Sequence, residues 1–133
     1  MIQQQVKHYG DLRVWQEGMA LVMKVYEVAR KLPPEERYDL GSQIRRAAVS
    51  IPANVVEGQA RQHTKEFHQC LYISRGSLAE LDTLLILAQR LGYLNVEALQ
   101  TLQEDMADVR RPLQGLIKRL HAKRHLGSLA TGH

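Results

Sequence analysis

The sequence predicts an all-α fold, an antiparallel up-down-up-down bundle of four helices. Four segments place apolar residues at alternating spacings of three and four, which puts an apolar stripe along one face of each helix. No segment has the strict alternation of apolar and polar residues that a half-buried strand requires. The connections between segments span about two to eight residues, a length that favours antiparallel neighbours in a bundle.

The ends of the helices are predicted from residues whose chemistry suits them. Helices are expected over about residues 11–32, 40–57 and 65–91, and a fourth begins after Asn95, while residues 126–133 are expected to be frayed. A polar side chain can accept a hydrogen bond in the first turn, glycine can adopt the left-handed conformation that ends a helix, and proline cannot donate the next bond. The expected N-caps are Asp11, Asp39, Thr64 and Asn95, and the expected terminators are Pro33, Pro34, Gly58 and Gly92.

The predicted core faces follow from the same spacings. The first helix contributes Leu12, Trp15, Met19, Val22, Tyr26 and Ala29. The second contributes Ile44, Ala47, Ala48, Ile51, Val55 and Gly58. The third contributes Phe67, Leu71, Ser74, Leu78, Leu81, Leu85 and Ala88. The fourth contributes Leu99, Leu102, Met106, Val109, Leu113, Leu116 and Leu120.

The 133-residue chain is expected to form one domain, residues 1–133, with a core over about 11–120 and flexible ends. Cys70 is the only cysteine, so no internal disulfide can form, which fits a reducing compartment. No apolar run approaches the ~18 residues of a membrane span. Residues 1–11 also lack the apolar core of a signal peptide. We therefore expect a cytoplasmic protein with no membrane partner.

The second helix carries a second apolar strip, on the side away from its core face. An ordinary bundle helix needs one apolar face, so this strip is predicted to be covered by another surface outside its own bundle. The alternative is that its valines are singly exposed, as on many surfaces. A proline inside the helix should also bend it there. The predicted oligomer interface consists of Val49, Pro52 and Val56.

A polar stripe runs beside the core face of the second helix and predicts a polar seam against the third. If the two helices are antiparallel, residues whose numbers sum to about 125 lie side by side. Arg46 then falls opposite Glu80, and we expect an ion pair between them that fixes the register. Ser50 falls opposite Arg75. The predicted seam consists of Gln43, Arg46, Ser50, Asn54, Glu57, Arg75 and Glu80.

The C-terminal part of the chain is strongly basic. Residues 110–133 contain six of the 18 Lys and Arg residues and none of the 14 acidic ones, an asymmetry that predicts a polyanionic partner. No aromatic residue is interleaved with these cations, so binding should follow the nucleic-acid backbone with little sequence specificity. The alternative is a solvated helix end that suits the negative end of the helix dipole. The predicted contacts to RNA or DNA are Arg110, Arg111, Lys118, Arg119, Lys123 and Arg124, with Arg45 and Arg61 in reserve.

The sequence predicts no catalytic residue, no cofactor and no metal site. His121 and His125 lie four residues apart, but no cysteine or carboxylate nearby completes a ligand shell. Cys70 lies near the apolar stripe of the third helix and is expected to be a buried structural thiol. No Gly-x-Ser-x-Gly, Walker A or dinucleotide-binding glycine motif occurs.

Four segments resemble a known family: DLRVWQ at 11–16, LPPEERYDLGSQIRRAAVSIPANVVEG at 32–58, KEF at 65–67 and RGSLAEL at 75–81. This is the family of four-helix-bundle proteins named for intervening sequences of large-subunit ribosomal RNA genes. The resemblance implies a ring-like homo-oligomer, a pentamer, and the family has no assigned enzymatic activity. The accessory proteins of diversity-generating retroelements look like distant relatives, and they bind nucleic acid and a reverse transcriptase. The residues that match the family pattern are Arg45, Arg46, Ser50, Pro52, Asn54, Glu57, Gly58, Arg75, Gly76, Ser77 and Glu80.

The sequence departs from the family pattern at Asp39, Gly41 and Pro112, the last of which is expected to kink the fourth helix. Three functional hypotheses stay open. The first is a non-enzymatic homo-oligomer that binds RNA or DNA, as an accessory to a nucleic-acid enzyme such as a reverse transcriptase. The second is a protein interaction scaffold with no nucleic-acid role, and the third and weakest is an enzyme. An enzyme would have to use the seam residues Arg46, Glu57, Arg75 and Glu80.

Overall fold

The chain folds into four helices in the computed structural model, which describes Gly10 and residues 12–130, with the backbone alone for 125–130. The helices are α1 (Arg13–Arg30), α2 (Leu40–Ala60), α3 (Thr64–Arg90) and α4 (Val96–Ala130), with a short 3-10 helix at Pro34–Glu36 between α1 and α2. The described residues form no strand. Each helix packs against its two neighbours, α1 against α2 and α4, and α3 against α2 and α4. The predicted four-helix bundle is therefore confirmed, while the ring assembly stays a prediction.

None of the described helices is both long and apolar enough to cross a membrane.

The core faces predicted for α2, α3 and α4 are confirmed, with Phe67 and Leu120 half-buried at the edges and the other members buried. Side-chain bonds also connect the helices near their surfaces. Lys24 on α1 pairs with Asp105 on α4 at 2.9 Å, and Gln103 on α4 donates to Asp82 on α3 at 2.9 Å.

The core face predicted for α1 is wrong at two of its six positions. Met19 and Tyr26 are 38% and 36% exposed. The face that packs against α2 and α4 is instead Val14, Gly18, Leu21, Val22, Val25 and Ala29. The physical reason is Gly18, which has no apolar side chain but is buried because a neighbouring helix approaches it. A prediction from apolar side chains alone omits Gly18 from the core face and includes Met19 instead.

The proline within α2 is buried inside the chain, and its assignment to an oligomer interface is wrong. A Cβ built on Gly18 of α1 would lie 3.4 Å from the Cβ of Pro52, so the proline ring packs against the glycine. The missing side chain at Gly18 and the compact ring of Pro52 together allow α1 and α2 to approach closely. Helix α4 also continues through Pro112 to Ala130, so the fraying predicted for residues 126–130 is wrong, and residues 131–133 lie outside the described part.

Two of the predicted helix ends are confirmed. The side chain of Asn95 accepts a bond from the N–H of Ala98 at 2.7 Å. Gly92 has a φ of 86°, and the N–H of Tyr93 reaches back to the carbonyl of Ala88 at 2.9 Å, which closes α3 with a Schellman motif. Asp39 makes no capping bond, α3 begins at Thr64 itself, and the predicted cap Asp11 lies outside the described residues.

Gly58 does not end α2, which continues to Ala60, and among the described residues only Gly92 has a positive φ. A Cβ on Gly58 would lie 2.7 Å from Cδ1 of Phe67 and 2.8 Å from Cβ of Cys70. The glycine is therefore required for the close approach of α2 to α3 rather than for a turn.

Candidate nucleic-acid interface

The six basic residues predicted on α4 are not equivalent. Lys118, Arg119 and Lys123 are exposed, and within the described part of the chain none of them forms an ion pair. Arg110 is half-buried. Arg111 pairs with Asp108, one turn earlier on the same helix and just before the acid-free stretch begins. Its charge is therefore partly compensated.

Arg124 connects α4 to a buried histidine on α3. Its Nη1 lies 2.9 Å from Nδ1 of His68, a side chain that is only 2% exposed. Burial lowers the pKa of His68, and the charges of Arg124 and His121 lower it further. The ring is therefore neutral near neutral pH and accepts the arginine's hydrogen bond at Nδ1, which assigns the ring proton to Nε2. Nε2 is buried and makes no well-formed hydrogen bond to a described residue, although a backbone interaction with Ile117 partly offsets the lowering of the ring's pKa.

A groove between α3 and α4 brings together three cations. Arg75 from α3 and Arg111 and Lys118 from α4 line it, and its volume is about 460 Å³. The floor includes Gly115 and Ile117. Arg75 was predicted to join the seam between α2 and α3, which is wrong because its position on α3 turns it toward α4. We call the space lined by these residues the α3–α4 groove.

An aromatic side chain accompanies these cations, contrary to the expectation from the local sequence. The guanidinium carbon of Arg75 lies 4.6 Å from the centre of the Tyr72 ring. The centre of the His68 ring lies 4.8 Å from the centre of the same tyrosine ring. Tyr72 is 42% exposed, so part of its ring is accessible next to the groove. The sequence could have indicated this cluster, because His68, Tyr72 and Arg75 follow at steps of four and three and therefore share one face of α3.

The seam between α2 and α3 exists, but its contacts differ from the prediction. Arg46 and Glu80 line one surface pocket with Gln43, Ala47 and Ser50, yet they form no ion pair, so that prediction is wrong. Both side chains are exposed, and water can solvate each charge separately.

Serine hydroxyls and an asparagine form the seam instead. Ser50 Oγ and Ser77 Oγ lie 2.7 Å apart, and Ser74 Oγ donates to the carbonyl of Ile51 at 2.8 Å. The amide of Asn54 donates to Oγ and to the carbonyl of Ser50, at 3.0 and 2.8 Å. The pairing of Ser74 with Ile51 confirms the predicted antiparallel register.

The two reserve cations are both engaged. Arg61 pairs with Glu57 at 2.6 Å, one turn earlier on α2, and the hydrogen bond and charge of Glu57 raise the pKa of Arg61. Arg45 donates through Nη2 to the carbonyl of Arg37 at 3.0 Å. Glu57 thus pairs near the end of α2 rather than along the seam.

An exposed apolar strip crosses α1 and α2. Val49 is 40% exposed and borders one pocket with Tyr26, while Met19 and Met23 lie on the same face of α1 as Tyr26. Val56 is half-buried. We call Met19, Met23, Tyr26 and Val49 the α1–α2 strip.

The histidines and the single cysteine are the remaining residues with metal-binding or thiol chemistry. Within the described residues, no three His, Cys, Asp or Glu side chains are grouped so that they could hold a metal ion. The side chain of His125 lies outside that part of the chain. Cys70 is half-buried rather than fully buried, beside Gly58 at the contact of α2 and α3.

Comparison with known families decides the relationship of the chain. The model of the 23S rRNA-intervening sequence protein family matches residues 10–115. The chain belongs to that family. The match includes the α3 side of the groove and Arg111, and it ends before Lys118 and the rest of the basic end. The sequence resemblance is thereby confirmed.

A solved structure shows the same fold. It is a protein with unknown function from the S23 ribosomal protein family of Bacteroides thetaiotaomicron, with a TM-score of 0.73 and 23% identity. The match covers 79% of this chain and 98% of that one. None of the curated proteins is significantly similar to this chain.

Proposed function

We propose that this protein is a non-enzymatic homo-oligomeric bundle that binds RNA or DNA through the α3–α4 groove and the neighbouring basic residues of α4. The observation that carries the proposal is the arrangement of Arg75, Arg111 and Lys118 from two helices around one groove, beside the accessible ring of Tyr72. Lys118, Arg119 and Lys123 extend the positive surface along α4. Cations on a surface bind the phosphate backbone of any sequence.

The aromatic ring favours single strands over duplex. In a single strand the bases are accessible, and a base can stack on an exposed tyrosine, which adds about 1–3 kcal/mol per base. A duplex hides its bases and offers only phosphates to the same groove. The name of the family, which refers to an intervening sequence of 23S rRNA, supports RNA as the natural class of ligand.

Self-assembly is part of the proposal. The α1–α2 strip leaves four apolar side chains accessible on adjacent helices, a surface that a second copy of the chain could cover. A ring, for which we propose five subunits, would repeat the α3–α4 groove and add avidity for a long strand. Size exclusion with light scattering tests this: the parent should be an oligomer, and Val49→Asp or Met23→Asp should dissociate it. A parent that is monomeric at micromolar concentration contradicts the assembly.

We further propose that the protein acts in the cytoplasm as an accessory to a nucleic-acid enzyme such as a reverse transcriptase. A second candidate is a protein interaction scaffold with no nucleic-acid role, which the α1–α2 strip also favours. The two differ in what accompanies the purified protein. Nucleic acid that nuclease removes, detected by the 260/280 nm absorbance ratio, supports the first, and a protein partner without nucleic acid supports the second.

Substitutions in the groove test the binding site. The double variant Arg75→Gln/Lys118→Gln should bind random single-stranded RNA at least tenfold more weakly, because two phosphate contacts are lost. The control is Arg90→Gln, which removes one exposed cation from the last turn of α3, away from the groove lining. Arg124 is left unchanged because its substitution would also disturb His68.

The role of the ring has its own test. Tyr72→Leu should weaken binding of single strands and leave duplex binding unchanged. For the groove itself, equal binding of single-stranded RNA by the parent and by Arg75→Gln/Lys118→Gln would contradict the proposed site.

A further inference from the structure

A second basic pocket lies where the end of α1 meets the start of α2. Three segments line it with arginines: Arg30 from the last turn of α1, Arg37 from the connection, and Arg45 from α2. Ala29 and Leu32 contribute apolar surface, and the volume is about 360 Å³. Because α1 and α2 lie across the bundle from the contact of α3 with α4, this pocket is separate from the α3–α4 groove.

The acidic residues nearest in sequence face other side chains or solvent. Glu36 accepts a hydrogen bond from the hydroxyl of Tyr93 at 3.0 Å, and this bond is the main reason that the pKa of Tyr93 is raised. Glu35 is exposed, and its charge raises that pKa further. Asp39 accepts a bond from an amide one turn later, at 3.5 Å. No carboxylate in the described part of the chain forms an ion pair with any of the three arginines.

The backbone holds the guanidinium of Arg45 in place. Its Nη2 donates to the carbonyl of Arg37 at 3.0 Å. Its Nη1 lies 3.2 Å from the position that a Cβ on Gly41 would occupy, so the glycine leaves room for the guanidinium. A guanidinium has five N–H donors, and the bond to Arg37 leaves others available to a ligand.

We propose that this pocket binds the phosphate group of a nucleotide. Three guanidinium groups around a concave space repel one another and favour an anion between them, and their planar donors match phosphate oxygens. A phosphate monoester carries about −1.5 to −2 charges at neutral pH, so it balances three cations better than a carboxylate does.

A tyrosine beside the pocket indicates a base next to the phosphate. Tyr38 is 86% exposed and lines the same pocket, and an exposed aromatic ring can stack on a base. The volume of the pocket is near the lower end of the range for ligand pockets, about 300–1,000 Å³. This size fits one nucleotide rather than a length of strand. The site does not depend on the proposed function of the α3–α4 groove.

Calorimetric titration of the full-length protein tests the pocket, with inorganic phosphate, adenosine 5′-monophosphate and adenosine as probes. The monophosphate should bind more tightly than phosphate, and adenosine should not bind. Arg30→Gln and Arg45→Gln should each weaken binding of the monophosphate about tenfold, the loss of one charge-assisted hydrogen bond. Tyr38→Ala should reduce its affinity to that of inorganic phosphate.

The matched control is Arg46→Gln, which removes the same charge from the next residue of α2 but faces the pocket shared with Glu80. It should bind the monophosphate like the parent. Arg30→Gln keeps the test valid if Arg45→Gln disturbs the start of α2, since Arg30 lies exposed on α1. The groove variant Arg75→Gln/Lys118→Gln should also bind the monophosphate normally, so loss of nucleic-acid binding at the groove leaves this proposal standing.

A pair of short RNA strands, with a 5′-phosphate or a 5′-hydroxyl, identifies the source of the phosphate. Tighter binding of the phosphorylated strand that Arg30→Gln abolishes indicates a strand end. Phosphate dependence with the mononucleotide alone indicates a free nucleotide, and both results support the pocket. The proposal is overturned if the parent shows no phosphate-dependent binding of either probe. It is also overturned if Arg30→Gln and Arg45→Gln alter only the melting temperature, which would limit the arginines to neutralising the end of α1.

Discussion

Gly58→Ala should destabilise the fold, although alanine is the better helix former. The added methyl group would lie 2.7 Å from the ring of Phe67, 2.8 Å from Cβ of Cys70 and 3.2 Å from the carbonyl of Phe67. Favourable carbon contacts lie at about 3.5–4.0 Å. The ring of Phe67 can rotate away. The Cβ atom of Cys70 and the carbonyl of Phe67 move only with the backbone of α3, so α2 and α3 must separate. We expect a cost near the upper end of the ~1–3 kcal/mol for overpacking.

The higher helix propensity of alanine relative to glycine offsets about 1 kcal/mol of this cost. The net loss in the free energy of unfolding is then about 1–2 kcal/mol, which lowers the melting temperature by roughly 4–8 °C for a domain of this size. Thermal and urea unfolding followed by circular dichroism measure it. The control is Gly76→Ala on α3, where nothing lies within 4 Å of the new methyl group, and which should gain about 1 kcal/mol. If Gly58→Ala were as stabilising as Gly76→Ala, the close contact of α2 and α3 would be refuted.

Two further predictions concern contacts between helices. Because the folded state lowers the pKa of His68 below its ordinary value of 6.5, through burial first and then Arg124 and His121, the unfolded chain binds more protons. Stability should be fully present above about pH 6.5 and fall as the pH drops toward the folded pKa, and His68→Phe should flatten this slope in urea unfolding. The substitutions Arg46→Ala and Glu80→Ala should have additive effects within about 0.5 kcal/mol, since the two side chains form no ion pair; a large coupling energy in the double-mutant cycle would show that they interact in solution.

The fold could be predicted where side chains alone decide which face is buried. The stripes of α2, α3 and α4 are continuous in apolar side chains, and they were predicted correctly. The face of α1 was not, because Gly18 is buried through the closeness of Pro52 and carries no side chain that reveals it. For the same reason, Gly58 was interpreted as the end of a helix. A glycine at a helix contact and a glycine at a helix end differ only in their tertiary surroundings.

The candidate site was predictable to the extent that it is local in the sequence. The basic end of α4 is evident from composition. The groove depends instead on how α3 lies against α4, which places Arg75, with Tyr72 beneath it, in one groove with Lys118, more than forty positions later. Arg111 pairs with Asp108 and Arg124 bonds to His68, so fewer cations are available to a ligand than the composition indicates. Predicting these contacts requires the register between helices, which the spacing of residues within one helix does not give.

The central claim, that the protein binds nucleic acid through its basic surface, is tested most directly by the salt dependence of binding. The measurement is the affinity of the unmodified protein for a random single-stranded RNA, between low and physiological salt. Arg75 and Lys118 are the groove cations that form no ion pair among the described residues, and Arg119 lies exposed beside Lys118 on α4. If each of these three neutralises one phosphate, the slope of log K against log salt is about −2, since each contributes about −0.7 on single strands. Contacts from Lys123, from the partly compensated Arg111 and from further subunits make the slope steeper. We predict a slope of about −2 or steeper, and an affinity that is absent or independent of salt would contradict binding of nucleic acid through the basic surface.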